Sequence, residues 1–488
     1  MPLDPEACYR ALRTRDARFD GRFFVAVRST GIYCRPVCPA RTPLRENCRF
    51  LPCAAAAEAE GFRPCRRCRP ESAPGTAAWV GTSATVSRGL RLIDAGALDE
   101  DGVGELAARL GVGERHLRRL FVRHVGAAPL AIAQTRRAHF AAQLLAETDW
   151  PVSQVAFASG YTSVRRFNEA IRRTFLCTPR TLRERRRRGA TGDRGAIRLR
   201  ARAPWDPDAL LRYLAARAVP GVESVDARGV RRALRVGAAS LVVESEARTD
   251  GDGLAVRVRG GDASVWLSVV ERVRAVFDLG ADPAQIHDVL ARDPLLRRRL
   301  AKRPGWRVPG AWESFEMAAR IVLGQQVTVA GATRLAGRLV ERFGDPLPAA
   351  LRDESETAPA RLFPTPQRLA DAALEGIGLP RQRARALRAL AGSLAEGALD
   401  LAPGADPEAA RAALLALPGI GPWTAEMVLL RALGEPDAFP VGDLGLQRAL
   451  GLDAEALARR AERWRPWRGY AAMLLWTTPE GRRARRAA

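Results

Sequence analysis

Lysine is nearly missing from this chain. Of 78 basic residues only Lys302 is a lysine. Asparagine is scarce as well, whereas alanine and arginine abound, so the arginine excess reads as codon bias rather than a demand for guanidinium chemistry. The sign of the charge is informative; the Arg/Lys ratio is not. Long apolar runs are also missing: no stretch approaches the ~18 residues of a membrane span. The opening MPLDPEACYR has neither a basic n-region nor an apolar h-region, so no secretory leader and no membrane association are expected. The chain is therefore expected in the cytoplasm, where its 8 cysteines would be reduced thiols or metal ligands. No tandem repeat at a solenoid period is visible.

What is present points to several domains and an anionic partner. The 488 residues suggest about three domains. The formal net charge of +24 favours a polyanion such as nucleic acid. Residues 1–78 carry 14 basic and 8 acidic side chains, and residues 79–194 carry 20 and 11, so most of the excess lies in the first two-fifths. PESAPGTAA at 70–78 reads as a linker, and the charged run starting at Arg183 is not expected to fold alone. The expected order is a module at 1–78, a second at 79–190, a linker at 191–196, a mixed α+β segment at 197–310 and a helical body at 311–488. LRVGAASLVVES (234–245) and LAVRVRG (254–260) alternate like strands. The expected fold class is thus multidomain α+β, with two small modules ahead of a mixed α+β segment that leads into an all-α body.

Cys34 and Cys38 form C-x3-C, and Cys65 and Cys68 form C-x2-C. Two close pairs at such separation fit one tetrahedral Zn2+ site. Cys8, Cys48, Cys53 and Cys177 lack that spacing and are expected as ordinary thiols. On spacing alone a structural zinc knuckle is the commoner reading. The surrounding words FVAVRSTGIYCRPVCPAR, LREN and GFRPCRRC resemble the N-terminal domain of the Ada adaptive-response family. In that family a zinc-bound cysteine takes a methyl group from an alkylated DNA phosphate. The resemblance implies that Cys34, in G-I-Y-C-R-P, is the acceptor and that Cys38, Cys65 and Cys68 complete the site. Arg35, Arg41, Arg63 and Arg66 lie beside the ligands and are candidates for phosphate contact.

The segments 103–126 and 152–179 each read helix, glycine turn, helix. Ala107, Leu110, Val155, Ala156 and Phe157 are expected to pack, with turns at Gly111 and Gly160. The second helix of each is long enough for a major groove. The doubled motif resembles the AraC-type DNA-binding domain. Arg115, Arg118 and Arg119 in the first pair, and Arg165 and Arg166 in the second, are candidate DNA contacts. A regulator of this type implies promoter DNA and RNA polymerase as partners.

In the last domain LPGIGPW (417–423) reads as a helix–hairpin–helix turn. Pro418, Gly419 and Gly421 would let backbone N–H groups approach a phosphate at the start of a helix. About 20 residues later FPVGDLGLQR carries Asp443. Together with ARIVLGQQVTVAGATRL and RRAERWRPWRGYAAMLLW, these strings resemble the AlkA-type 3-methyladenine DNA glycosylase II of the HhH-GPD superfamily, from about residue 198 to 480. The resemblance implies flipping of an alkylated nucleotide into a pocket, with Asp443 as the catalytic aspartate that steadies the sugar cation or activates water and Trp423 and Trp476 as pocket walls. An aspartate so placed is also a natural helix N-cap. Met427 stands where the family has a pocket tyrosine. Gln326 stands at the residue that plugs the vacated stack, a leucine there. Trp423 occupies the place of the Schiff-base lysine of bifunctional relatives, so no strand cleavage is expected. No Pro-Cys-His-Arg alkylguanine-transferase site is present. The reading is a zinc methyl acceptor and regulator joined to a monofunctional glycosylase acting on alkylated double-stranded DNA. The competing readings are a regulator with a weak or degenerate glycosylase half, and an enzyme tethered by a purely structural zinc domain.

Overall fold

A computed structural model describes residues 3–73, 84–99, 101–187 and 195–477. The chain divides into two compact units. One holds residues 1–203 with 245–274 and 279–281; the other holds 204–244, 275–278 and 282–488. The expected linker at 70–78 and that at 191–196 lie largely outside the described residues.

In the first unit a four-stranded sheet runs Cys48–Leu51, Phe24–Val27, Ile32–Cys34, Arg63–Pro64 in spatial order. The pairs are antiparallel except the last, and Val25 faces Cys34 while Ala26 faces Tyr33. This register delivers the first cysteine pair from a strand end and the second from the turn after Arg63–Pro64. The helices Val103–Arg109 and Glu114–Val125, then Val152–Ala158 and Val164–Phe175, form the two expected helix-turn-helix pairs. Their turns hold Gly111 (φ +68°) and Gly160 (φ +78°), a left-handed conformation cheap only for glycine. Between them runs the long helix Pro129–Glu147.

One expectation is corrected here. Phe157 does not pack; it is 47% exposed, while Val155 and Ala156 are buried. The run starting at Arg183 begins inside a helix that packs on helix Pro129–Glu147. Residues up to Arg187 belong to helix Pro179–Arg187, where Arg186 is buried and paired with Glu71 and Arg187 pairs with Asp149. The first two sequence segments also share one core: Phe24, Ala26, Tyr33 and Leu51 of the sheet pack in the same cluster as Leu90, Leu117 and Phe121. The Cys53 thiol donates to the Val125 carbonyl at 3.2 Å and accepts from the Ala56 N–H, capping helix Ala54–Ala59. It is therefore a structural thiol, and burial pushes it up to about 11.

In the second unit Glu223–Val225 pairs antiparallel with Gly229–Val236. The strand-like run at 234–245 is two strands, Gly229–Val236 and Ala239–Ala247, turned at Gly237 (φ +56°). Arg232, 1% exposed, joins this part to the helical body through Glu316 and Glu223 (3.2 Å). Arg320 reaches the same two carboxylates. Such a buried cluster holds because each charge is paired; removing one partner leaves an uncompensated charge. The body itself is all helix, from Ser314–Leu323 to Arg468–Thr477.

Candidate functional sites

The four cysteines of the two pairs converge as expected. Their Sγ atoms lie within 4.8 Å of one another, with Cys38 and Cys65 at 4.0 Å. Tetrahedral Zn–S bonds of about 2.3 Å require sulfur separations of roughly 3.8 Å, so this donor set fits one Zn2+. Cys34 alone is half-buried; Cys38, Cys65 and Cys68 are 6–7% exposed. Hydrogen bonding from the Cys34 thiol holds the Cys38 and Cys65 thiols below their ordinary value.

Arg35 departs from expectation. It is 4% exposed, its guanidinium grips the Asp20 carboxylate, and Nη1 donates to the Cys68 carbonyl at 3.1 Å. Its backbone N–H donates to Cys68 Sγ at 3.3 Å. Arg35 therefore braces the cluster from inside and reaches no phosphate. Arg41 and Arg66 are exposed and Arg63 half-buried beside the same loops. Next to Cys34, Tyr33 donates to Glu58 at 2.8 Å. Glu58 also accepts from Thr135 at 2.7 Å and lies 2.9 Å from His139 Nε2, both on helix Pro129–Glu147. Burial pushes the Glu58 carboxyl up, but these hydrogen bonds outweigh it and hold it below its usual range. Strand Ile32–Cys34 is thus pinned to the helix-turn-helix core, a contact that no local spacing could announce. Arg115, Arg118, Arg119, Arg165 and Arg166 are all exposed on the second helix of each pair. Arg165 pairs with Glu169 at 3.2 Å, a solvent-exposed i,i+4 contact easily exchanged.

In the second unit the hairpin joins Pro407–Leu415 to Pro422–Arg431. Gly419 takes φ +79°, and a Cβ there would come within 3.0 Å of the Ala386 Cβ. Pro418, Gly419 and Gly421 are exposed, and Pro422 opens the helix without needing an N–H partner. Asp443 caps helix Leu444–Leu450 through the Leu446 N–H at 2.8 Å. It also accepts from both tryptophans: Trp423 Nε1 at 2.8 Å on Oδ2 and Trp476 Nε1 at 2.9 Å on Oδ1. Both indole edges are therefore spent on the carboxylate, and both rings are only half-buried. Met427 lies one turn beyond Trp423, also half-buried. Gln326 is exposed at φ +57°.

Three residues of this site escaped the sequence reading. A Cβ on Gly445 would meet Asp443 Oδ1 at 2.9 Å and the Trp476 ring at 3.6 Å, so glycine keeps the carboxylate open. Glu426 accepts from Arg411 at 2.6 Å and from the Phe439 N–H at 2.8 Å, tying the hairpin to the loop before Asp443. Gln325 reaches the hairpin itself. Only the glycine after Asp-Leu was a visible signal; the other two depend on distant partners.

A helix–hairpin–helix body holding an indole-clamped aspartate, with a cysteine metal centre and paired helix-turn-helix elements in the other unit, defines a DNA-repair glycosylase joined to a DNA-binding regulator. Residues 7–71 match the metal binding domain of Ada, 106–185 a helix-turn-helix domain, 196–313 the AlkA N-terminal domain and 319–459 the HhH-GPD superfamily base excision DNA repair protein. The chain is 44% identical over 98% of its length, and 97% of the relative's, to a Mycobacterium tuberculosis protein described as a probable bifunctional transcriptional activator/DNA repair enzyme AlkA. It is 37% identical to Escherichia coli DNA-3-methyladenine glycosylase 2, over 56% of this chain and 94% of that protein. Its first part is 37% identical to the Escherichia coli bifunctional transcriptional activator/DNA repair enzyme Ada, over 30% of this chain and 40% of that protein. The chain belongs to the family of bifunctional Ada/AlkA-type transcriptional activator and DNA repair proteins. It carries one Zn2+ site and acts on DNA. Among the described residues no helix is long and apolar enough to cross a membrane.

Proposed function

We propose that Asp443 drives hydrolysis of the N-glycosidic bond of N-alkylated purines such as 3-methyladenine in duplex DNA. The observation that carries this reading is the carboxylate held by two indole N–H groups. Those donors orient Asp443, while the ring faces remain for a cationic base by stacking and cation–π attraction. The bond from C1′ to the base nitrogen breaks with its electron pair leaving on the base, which departs neutral. Water adds to C1′, and the Asp443 carboxylate steadies the positive sugar and takes the water proton. Met427 supplies an apolar wall. Pro418, Gly419 and Gly421 bring backbone donors to a phosphate, and Gln326 fills the vacated stack. With no lysine in the hairpin, the abasic strand is left intact.

In the first unit Cys34 takes the methyl group of a DNA methyl-phosphotriester. The new S–C bond forms as the C–O bond breaks, and its electron pair stays on the phosphodiester oxygen. Zn2+, when bound by the four cysteines, supplies their thiolate character at neutral pH. Among the four, Cys34 is the accessible one. Arg41, Arg63 and Arg66 contact phosphates there, and Arg115, Arg118, Arg119, Arg165 and Arg166 contact promoter DNA. RNA polymerase is the partner of the regulatory half, and the compartment is the cytoplasm. Uptake of a methyl group removes one unit of negative charge facing DNA and so tightens binding, most at low salt.

The test is one incubation with methylated duplex DNA, scoring released bases and protein methylation together. Release of 3-methyladenine and a methyl group mapped to Cys34 are expected. A methyl group on another cysteine refutes the acceptor assignment, and absence of base release refutes the glycosylase.

A further inference from the structure

Helix Ser314–Leu323 ends at Gly324, and helix Val329–Phe343 is capped by Thr328, whose hydroxyl accepts the Gly331 N–H at 3.1 Å. The loop between them is thus short and held at both ends. At its apex Gln326 adopts φ +57°, a left-handed conformation that L side chains rarely keep unless their surroundings over-determine it. Gln326 and Val327, the latter 39% exposed, face solvent.

The over-determination comes from Gln325. Its Nε2 donates to the Gly419 carbonyl at 3.0 Å and to Thr424 Oγ1 at 3.0 Å, using both N–H bonds of one amide. Gly419 is the left-handed residue of the hairpin, itself fixed by its close approach to Ala386. Thr424 is buried and follows Trp423, whose indole holds Asp443. A single side chain therefore joins the loop apex to the hairpin and, one residue further, to the catalytic carboxylate.

We propose that Gln325 is a positioning residue that locks the stack-filling loop to the phosphate-binding hairpin, so that gripping the backbone and filling the vacated stack happen as one rigid-body event. This rests on the reading of Gln326 and the hairpin given above. A loop held in its inserted geometry before DNA arrives loses no further freedom on insertion, whereas a swinging loop does. The role concerns duplex opening only; chemistry on a nucleotide already out of the stack does not need it.

The experiment uses the full chain and two substrates. One carries 3-methyladenine paired in a duplex; the other carries the same lesion opposite an abasic analogue, where no paired base holds it in the helix. Gln325→Ala and the bulk-preserving Gln325→Met should each lower single-turnover release from the paired substrate ~10-fold, the weight of two lost hydrogen bonds. Release from the abasic-opposed substrate should change less than about twofold. The double variant Gln325→Ala/Gln326→Ala should be no slower than the worse single variant, because both act on one step. Equal losses on both substrates, or no loss on the paired one beside a paired-selective loss in Gln326→Ala, overturn the Gln325 proposal alone. Absence of a paired-selective loss in Gln326→Ala itself overturns the stack-filling reading beneath it.

Discussion

The two sites solve opposite problems with the same economy. At the cysteine cluster all four donors come from two short words of sequence, and Cys34, the proposed methyl acceptor, is the most exposed of them. At Asp443 the carboxylate is gathered with two tryptophans from separate helices, and none of the three is fully exposed or fully buried. A cluster that spends one of its own ligands needs that ligand reachable. A site that turns over must hold its acid fixed while bases come and go. Local spacing suffices for the first; the second requires tertiary assembly.

The largest expected effect separates the two at once. Asp443→Asn should slow single-turnover base release by on the order of 10³-fold, as for loss of a key electrostatic group. Asn still caps helix Leu444–Leu450, so folding and duplex affinity should stay near wild type. Methyl uptake at Cys34 should be untouched, and near-normal release would remove Asp443 from the reaction. Borohydride should trap no covalent DNA adduct in either form.

Metal removal sharpens the comparison from the other side. A strong chelator should abolish methyl uptake and melt the cysteine module, while base release proceeds unchanged. Cys65→Ser should copy the chelator, with zinc content lost, whereas Cys34→Ser should stop methyl uptake alone. Metal analysis with parallel release and uptake assays decides it, and equal loss of both activities would show the sites to be coupled through metal.

Arg35 and Arg41 test the corrected arginine. Arg35→Ala leaves Asp20 buried and unpaired, so a destabilisation of about 3–5 kcal/mol is expected in the first unit. Arg41→Ala should leave melting unchanged and instead reduce the salt slope of DNA binding by roughly one. Denaturant unfolding and binding titrations at several salt concentrations read the two.

The smallest effect concerns Asp278 of the second unit. Burial pushes its carboxyl up to about 6, although Arg307 opposes this, and it accepts from Tyr470 at 2.7 Å and the Val308 N–H at 3.0 Å. A raised value means the folded state binds the proton more tightly. Its contribution is therefore full below the unfolded value near 4 and is lost as pH rises through about 6. Asp278→Asn, tolerated at φ +48° because Asn adopts left-handed backbone readily, should flatten stability by about 2 kcal/mol across that window. An unchanged slope in urea unfolding between pH 4 and 6.5 would rule the group out.

Much was legible from residues alone. Metal ligands, helix-turn-helix pairs, the hairpin and the single acid all depend on residues close in the chain, where peptide geometry ties spacing to shape. The absence of a hairpin lysine was equally readable, since it needs no fold. What only the tertiary structure decided was where side chains turn. Arg35 stands beside a ligand and was expected outward, yet Asp20 draws it into the core. Trp423 and Trp476 were expected as pocket walls, and only the fold shows that both also give their N–H edges to Asp443. Gln325 carried no signal, because Gly419 and Thr424 lie far along the chain. Phe157 sat in an apolar word and still faces solvent. A side chain's partner across the fold is set by how remote elements pack, and spacing within one element holds no record of it.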